Sequence, residues 1–420
     1  MRIDVKYYII SINKTKEEIY GDIMYEGEFF RSFSIIEDTR EEGKVKHKLI
    51  DIIFIVVSAV ICGCNEWKEI RLWTKMELNI NWLKKYIELS NGIPSLSTIG
   101  RLFNIVSPTQ FEKSFILWMK SAVQLPEKDI ISIDGKTMRG SIDGDKRGAH
   151  IVSALCNSHS LVIGQVKTEE KSNEITAIPE LLDLLYIKGC IVTIDAMGCQ
   201  KKIAEKIVKD CKSDYVLNVK GNQECLMNDI VECFQTLNKE GKFYNLNIAY
   251  KLSKSNGKPP GDDQLSMLKT IDKGHGRIEK RNYYYSQNIS WMIDAKKDWY
   301  GLAGVGMVER ETEKAGTVTK ETSLYIGSIT SVKEFEKAVR NHWKIESMHW
   351  SLDVTYKDDA NRTRKGTAPQ NMAVLKKIAF NSVKNDTKIH PKESMKGKRF
   401  IASMDFKYRD FLVDLNFKNR

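Results

Sequence analysis

The segment IISIDGK, residues 130–136, ends a short apolar run with an acidic side chain, Asp134. A second apolar run, CIVTI at residues 190–194, is followed in the same way by Asp195. Short apolar runs of this kind predict buried β-strands. An acidic residue at the end of such a strand is held by the sheet while its carboxylate faces the cleft above the strand ends. The two runs therefore predict an α/β fold with an acidic cleft.

A third acidic residue lies in a segment of helical character further along the chain. One face of this predicted helix would carry Glu346, His349, Trp350 and Asp353. Two strand-end aspartates and Glu346 could converge on a pair of Mg²⁺ ions, because hard cations prefer oxygen ligands. Paired metals can hold both the attacking and the leaving oxygen of a phosphodiester. Taken singly, Asp134 could instead be a turn residue and Asp195 a helix cap.

The overall composition describes an ordinary globular protein with an excess of positive charge. The chain has 420 residues, 42% of them hydrophobic and 29% charged, which is enough for two to four domains. The formal net charge is +11. Such a balance favours a polyanionic partner, of which nucleic acid is the common one. A lysine-rich solvated surface is the alternative interpretation.

Cysteine usage and hydropathy favour a cytoplasmic protein that does not enter a membrane. None of the eight cysteines forms a CxxC pair, so buried free thiols in a reducing compartment are expected rather than a zinc site. The N-terminus has no long apolar segment typical of a secretory signal. The apolar run at residues 52–62 is too short to span a bilayer and predicts a buried core helix.

Composition along the chain suggests four regions. We expect an N-terminal extension at residues 1–44, a helical domain at 45–125, a catalytic core at 126–383 and a basic tail at 384–420. The helical domain alternates basic and aromatic side chains, so it could bind DNA or simply be a bundle with tryptophan in its core. The tail carries ten Lys/Arg and five Asp/Glu. This excess of positive charge predicts either a solvated face or an arm that contacts a nucleic-acid backbone.

Within the core, hydrophobic periodicity predicts three strands, a helix, a strand, a helix and a strand. Three strands with short turns indicate an antiparallel meander, and the later units indicate parallel additions. The predicted elements are strands 130–134, 150–156, 161–166, 190–195 and 215–219, and helices 175–187 and 200–211. A less regular insertion at about 222–329 contains β-like pieces at 281–286, 299–308 and 317–329 and a polar loop at 251–264. Helices are predicted at 332–350 and 371–383.

Several motifs together resemble those of DDE transposases, in particular the ISAs-type, H-repeat-associated group of bacterial insertion sequences. They are HKLIDIIFIVVSAVICG (47–63), DGKTMRGS (134–141), HIVSAL (150–155), EKSNEITAIPELL (170–182), TIDAMGCQ (193–200), VKGNQ (219–223), KGHGRIEKR (273–281) and HWKIESMHWSLDVTYKDDANR (342–362). The resemblance covers roughly residues 45–410. One departure is that the segment after Glu346 is a residue shorter than in that group, which rotates His349 relative to the glutamate.

The resemblance implies a ribonuclease-H-like mixed sheet flanked by helices, with an N-terminal helical domain and a β-rich insertion before the last acidic helix. It implies cleavage and strand transfer of double-stranded DNA, at element ends and at a target, with two Mg²⁺ or Mn²⁺ ions. By motif, the catalytic and metal-binding residues would be Asp134, Asp195 and Glu346. Assembly as a homo-oligomer on DNA is left open.

Basic and aromatic residues near these motifs are candidates for DNA contacts. The candidates are Lys136, Arg139, His275, Arg277, Arg340, Lys344, His349 and Arg362. Trp343 and Trp350 could stack on an unpaired base or could pack between helix and sheet. Two alternatives to a transposase stay open: an inert protein that binds DNA without cutting it, and a nuclease that hydrolyses DNA without joining it.

Overall fold

The computed structural model describes residues 27–142, 144, 148–168, 174–239, 243–245, 265–274, 276–290 and 292–418. Two compact units are present. The first contains the described residues up to Ala122 together with those from Lys365 onwards, and the second runs from Val123 to Arg364. The helix that precedes the expected domain boundary at residue 383 therefore belongs to the first unit.

Helices are numbered here along the described chain. They are α1 (Glu28–Phe33), α2 (Leu49–Ile61), α3 (Trp67–Trp73), α4 (Glu77–Leu83), α5 (Leu96–Ile105), α6 (Pro108–Ala122), α7 (Glu174–Leu184), α8 (Lys201–Glu205), α9 (Glu224–Lys239), α10 (Ile293–Asp298), α11 (Val332–Val354), α12 (Ala368–Lys384), α13 (Met395–Met404) and α14 (Phe406–Asn416). Among the described residues, none of these helices combines the length and the apolar character needed to cross a bilayer.

The first unit is helical, and α2 lies at its centre. This helix is apolar on all sides and all but one of its residues are buried, as the sequence predicted for a core helix. It packs against α12, whose residues are almost all buried as well. Aromatic side chains fill the space around these two helices.

The described part of the expected N-terminal extension, residues 27–44, contains a helix that packs into the helical unit. Helix α1 buries Phe29 and Phe33, and the Phe29 ring stacks on Phe417 with centroids 4.3 Å apart. Both phenylalanines also contact Trp118, which is fully buried. This segment is thus part of the helical core; residues 1–26 lie outside the described part of the chain.

The described part of the expected basic tail, residues 384–418, contributes α13 and α14 to the helical unit. Two of its cations are buried rather than solvated. Arg399 donates to the carbonyl of Val60 and to Asn65 Oδ1. Arg409, only 1% exposed, donates to Asn79 Oδ1 and to carbonyls of α13, and stacks on Trp82 at 4.9 Å. Charge counting cannot distinguish such buried cations from a solvated arm.

Arg409→Met is expected to lower the free energy of unfolding by about 2–4 kcal/mol, because it leaves buried acceptors without their donor. Methionine keeps the length of the side chain, so lost packing contributes little. Urea unfolding followed by circular dichroism measures the change. Arg71→Met, at an exposed position of α3, is the matched control and should change stability by no more than about 0.5 kcal/mol. Equal effects of the two substitutions would contradict the structural role of Arg409.

The second unit is built on one large mixed sheet, which has ten strands within the described residues. The strands are β1 (Ile130–Thr137), β2 (His150–Cys156), β3 (Leu161–Lys167), β4 (Ile191–Ile194), β5 (Asp214–Val219), β6 (Phe243–Asn245), β7 (Leu265–Gly274), β8 (Arg277–Ser286), β9 (Gly304–Lys314) and β10 (Thr317–Gly327). Their spatial order is β3-β2-β1-β4-β5-β10-β9-β8-β7-β6.

The first half of this sheet confirms the element order predicted from the sequence. Strands β1, β2 and β3 form an antiparallel meander. Strand β4 pairs parallel to β1, and β5 pairs parallel to β4, with α7 and α8 in the connections. The helix predicted at 200–211 is α8 followed by a π-helical turn, Lys206–Asp210.

The predicted insertion does not form a separate layer. Its two hairpins, β7–β8 and β9–β10, continue the sheet beyond β5. The strand predicted at 299–308 begins instead at Gly304 and extends to Lys314. Its second half, ERETEK, has no apolar run, and for this reason periodicity alone missed it. The polar loop predicted at 251–264 lies outside the described residues.

Helix α11 crosses the sheet and positions the third acidic residue of the sequence analysis. It packs mainly on β1, and also on β4 and β8. Its buried face includes Phe335, Ile345, Met348 and Leu352. The side chains on its other faces are therefore directed away from the core, as expected for an amphipathic helix on a sheet.

Candidate active site

The register of β1 and β4 brings Asp134 and Asp195 together. Ile133 is the parallel partner of Ile194, so the next residue of each segment is an aspartate. This confirms the expectation that the two aspartates lie on adjacent segments of one sheet. Asp195 also caps the turn that follows it, since its Oδ1 accepts from the backbone amides of Met197 and Gly198 at 3.1 and 3.3 Å. The capping interpretation is therefore correct for this residue, and its role in a metal site stays a prediction.

A third carboxylate, Glu174, joins the two aspartates. One oxygen from each of Asp134, Glu174 and Asp195 lies within 4.8 Å of the other two. Burial raises the pKa of Asp195, and the negative charges of Glu174 and Asp134 raise it further. Glu174 lies in the motif EKSNEITAIPELL but was not among the residues predicted for the site. The only local indication is that Glu174 is an acidic residue in the first turn of α7. Acidic residues are common there in any helix, because they interact favourably with the helix dipole.

Neighbouring residues hold Glu174 in this position. His150 Nε2 lies 2.8 Å from Glu174 Oε1, and His150 Nδ1 lies 2.8 Å from Thr137 Oγ1. The pair occupies the space directly over Gly135, where the Cβ of any other residue would clash with both Glu174 and His150. A larger residue after Asp134 would therefore have to push the Glu174 and His150 side chains aside.

Glu346 lies beside this cluster rather than in it. Among the described residues, the carboxylates whose oxygens lie within 4.8 Å of one another are those of Asp134, Glu174 and Asp195. Glu346 is not part of this group. Burial and the charge of Asp134 raise the pKa of Glu346, so the two carboxylates interact electrostatically. His349 is the third group here: its Nδ1 lies 3.4 Å from Asp134 Oδ2, and its buried Nε2 has no hydrogen-bond partner in the described part of the chain.

Lys136, a candidate for a phosphate contact, forms ion pairs with three aspartates. Its Nζ lies 2.6 Å from Asp353, 3.0 Å from Asp359 and 3.6 Å from Asp358. Burial acts to lower its pKa, but the three negative charges outweigh that effect and raise it. The side chain is only 15% exposed. This ion-pair cluster gives Lys136 a structural role, which ties β1 to the segment after α11.

The other candidates for DNA contacts are distributed over the surface and the site. Arg139, Lys344 and Arg362 are exposed. Arg277 and Arg340 line a groove beside Glu346. His349 lies in the interior next to Asp134, and His275 lies outside the described residues. Of the described candidates, Arg277 and Arg340 thus share a groove with Glu346.

The groove beside Glu346 has a volume of about 860 Å³ and lies between α11 and the hairpins of the insertion. Its lining includes Lys273, Arg277, Arg281, Arg310, Arg340, Trp343, Glu346 and Trp350. Trp343 is 44% exposed and Trp350 64% exposed, so packing of these rings between helix and sheet is the wrong interpretation. Arg310 stacks over Trp343, its guanidinium 5.4 Å from the ring. Cations and exposed indoles therefore form one wall.

Two family models match the chain in tandem. The DDE_Tnp_1-associated model matches residues 30–119, and the Transposase DDE domain model matches residues 125–382. The second span contains Asp134, Glu174, Asp195 and Glu346. The family match ends at residue 382, whereas the second compact unit ends at Arg364.

Named relatives extend this match over most of the chain. The candidate transposase YncI of Escherichia coli O157:H7 is 43% identical over 84% of this chain and 86% of its own length. The H repeat-associated candidate transposase YhhI of Escherichia coli K12 is 39% identical over 89% of this chain and 94% of its own. A solved piggyBac transposase synaptic complex with hairpin DNA covers 95% of this chain and 80% of its own, at 10% identity and a TM-score of 0.41, too low to inform the fold. The chain belongs to the Transposase DDE domain family.

Proposed function

We propose that this protein is a DNA transposase that cleaves the ends of an insertion sequence and joins them to target DNA. The observation that carries the proposal is the parallel register that sets Asp134 beside Asp195, within the span matched by the DDE domain model. Asp134 and Asp195 would bind divalent cations, and Glu346 would complete the site from α11. The electrostatic coupling of Glu346 to Asp134 supports its inclusion.

The donor atoms fit a hard divalent cation. All three clustered side chains offer carboxylate oxygens, the ligands that Mg²⁺ and Mn²⁺ prefer. Oxygens bound to one Mg²⁺ at about 2.1 Å lie about 3–4 Å apart, so small side-chain adjustments from the observed spacing are sufficient. Two bound cations would lower the pKa of an attacking hydroxyl and stabilise negative charge on the phosphate and its leaving oxygen.

The protein's own groups would orient the reaction. Backbone amides hold Asp195 through one oxygen, and His349 contacts Asp134, so both aspartates have restricted orientations. In the first step, water would attack the phosphorus at the element end, break the P–O3′ bond and release a 3′-hydroxyl. In the second step, that hydroxyl would attack a target phosphodiester by the same in-line displacement.

The strand order supports the ribonuclease-H-like part of the proposal. An antiparallel β1–β2–β3 meander followed by parallel β4 and β5 places the two aspartates in the middle of the five-stranded half of the sheet that runs from β3 to β5. Helix α11 then crosses that sheet after the hairpins of the insertion. This is the arrangement that the motif resemblance implies for a catalytic core with an insertion before its last acidic helix.

The groove beside Glu346 is the proposed path of the DNA. Its arginines pair with acidic neighbours, Arg277 with Glu279 and Arg340 with Asp272, so a backbone phosphate would bind them by replacing those carboxylates. Trp350 presents an indole face on which a base can stack. Exposed Arg139 and Arg362 can extend the phosphate contacts outside the groove. The net charge of +11 is consistent with a polyanionic partner.

A cleavage assay tests the proposal. The purified chain is incubated with a labelled duplex that carries an end of its own element and with Mg²⁺ or Mn²⁺. The expected product is a strand cut at that end with a free 3′-hydroxyl, and chelation by EDTA should prevent its formation. Cleavage that persists in EDTA would contradict the proposed chemistry.

A further inference from the structure

We propose that Glu174 is a metal-binding residue, so that Asp134, Asp195 and Glu174 hold one divalent cation without the help of Glu346. The inference rests on the proposed function, because it assumes that the two aspartates bind divalent cations. It departs from the three-residue assignment made from the motifs, in which the site depends on Glu346 alone for its third carboxylate.

The first observation that supports this assignment is the position of the carboxylates. Glu174, not Glu346, lies within 4.8 Å of both aspartates in the described structure. A cation held by these three groups would have three anionic oxygen ligands. Its remaining coordination positions would be open to water or to an oxygen of the DNA. Three carboxylates so close together repel one another, and a bound cation relieves that repulsion.

The second observation is that hydrogen bonds hold the Glu174 side chain in this position. Thr137 on β1 bonds His150 on β2, and His150 bonds Glu174 on α7. The space above Gly135 is filled by this histidine and glutamate, and any larger residue would displace them. A ligand whose carboxylate is oriented by a hydrogen-bonded neighbour is a common arrangement at metal sites. We therefore assign His150 as a positioning residue.

The third observation is the separate position of Glu346. It belongs to α11 and lines the groove, whereas the other three carboxylates lie on or next to the sheet. Asp134 is the residue common to both groups, since it joins the cluster and also interacts electrostatically with Glu346. The cation held by the cluster would thus depend on Glu174 and not on Glu346.

Binding of Mn²⁺ to the full-length chain without DNA tests the inference. Electron paramagnetic resonance of free Mn²⁺ measures affinity and stoichiometry without any activity. We expect Glu174→Gln to weaken the tighter site tenfold or more, and Glu346→Gln to leave that site within twofold of the unmodified protein. Glu180→Gln, at an exposed position of the same helix, is the matched control and should have no effect.

His150 provides a second readout of the same assignment. His150→Ala should weaken the tighter Mn²⁺ site, and His150→Gln, which keeps a hydrogen-bond donor, should restore much of the affinity. Thermal unfolding in EDTA checks the fold: Glu174→Gln should be at least as stable as the unmodified chain, because one repelling charge is removed. On adding Mn²⁺ the unmodified chain should gain more stability than the variant.

The outcomes separate the inference from the proposed function. If Glu174→Gln binds Mn²⁺ as tightly as Glu180→Gln, the inference is overturned. It is also overturned if Glu346→Gln loses the tighter site and Glu174→Gln does not. If the unmodified chain binds no Mn²⁺, or if Asp134→Asn binds it undiminished, the proposed function fails instead.

Discussion

Asp134→Asn and Asp195→Asn should each lower the rate of DNA cleavage by about 10³-fold or more. The amide keeps the shape of the side chain but removes an anionic oxygen ligand, and metal-based charge stabilisation contributes several kcal/mol to such reactions. Single-turnover cleavage of an end-containing duplex measures the loss. The fold should be unchanged, because removing one of three repelling carboxylates does not disturb the sheet.

Asp183→Asn is the matched control for these two substitutions. Asp183 lies on α7, is 62% exposed at its side chain and pairs with Lys206 at 2.5 Å. Its loss should leave cleavage within about twofold, because exposed ion pairs contribute little. An asparagine variant of Asp134 or Asp195 that cleaves at the unmodified rate would exclude that residue from the site.

Glu346→Gln belongs to the same series and should also lose cleavage, with Glu334→Gln at the start of α11 as its control. If Glu346→Gln stays active while the aspartate variants are inactive, the third essential ligand lies elsewhere. Asp353 is the next acidic residue on this helix face, but its pairing with Lys136 at 2.6 Å argues against it. Glu174 would then be the remaining candidate in the cluster.

Affinity for duplex DNA should fall by a factor on the order of 10³ or more between 50 and 200 mM salt, if six or more phosphates are contacted. The reason is the release of counterions from phosphates that lysine and arginine neutralise. Fluorescence anisotropy of a labelled duplex in EDTA measures binding without cleavage.

Single substitutions refine this expectation. Arg139→Ala and Arg362→Ala remove exposed cations near the site, and each should reduce the slope of affinity against salt by about one if it contacts a phosphate. Lys136→Ala should act differently, because its ammonium group pairs with aspartates. Affinity that does not change with salt, or no binding to duplex DNA, would contradict a nucleic-acid partner.

The sheet could be predicted where apolar runs are short and bounded by turns. Strands β1 to β5 follow this rule, and for them both the order and the alternation with helices were predicted correctly. The outer half of β9 is charged on both faces and follows no apolar pattern. Helices α13 and α14 were missed because their basic residues suggested solvent, whereas Arg399 and Arg409 are buried against carbonyls and aromatic rings.

The candidate site was predictable only as far as local sequence determines it. Asp134 and Asp195 follow buried strands, so their proximity follows from pairing β1 with β4. The position of Glu174 depends on His150 from another strand and on the space above Gly135, and neither is visible in its own segment. The ion pairs of Lys136 could not be predicted because its aspartate partners come more than two hundred residues later in the chain.

A strand-transfer assay tests the central claim most directly. A labelled donor duplex that ends in the 3′-hydroxyl of the element is mixed with a supercoiled target, with Mg²⁺ or EDTA, and with the unmodified chain or Asp195→Asn. We expect labelled donor joined to target only for the unmodified chain with Mg²⁺. Target nicking without joining would indicate a nuclease, binding without either product would indicate an inert DNA-binding protein, and joining by Asp195→Asn would contradict the assigned site.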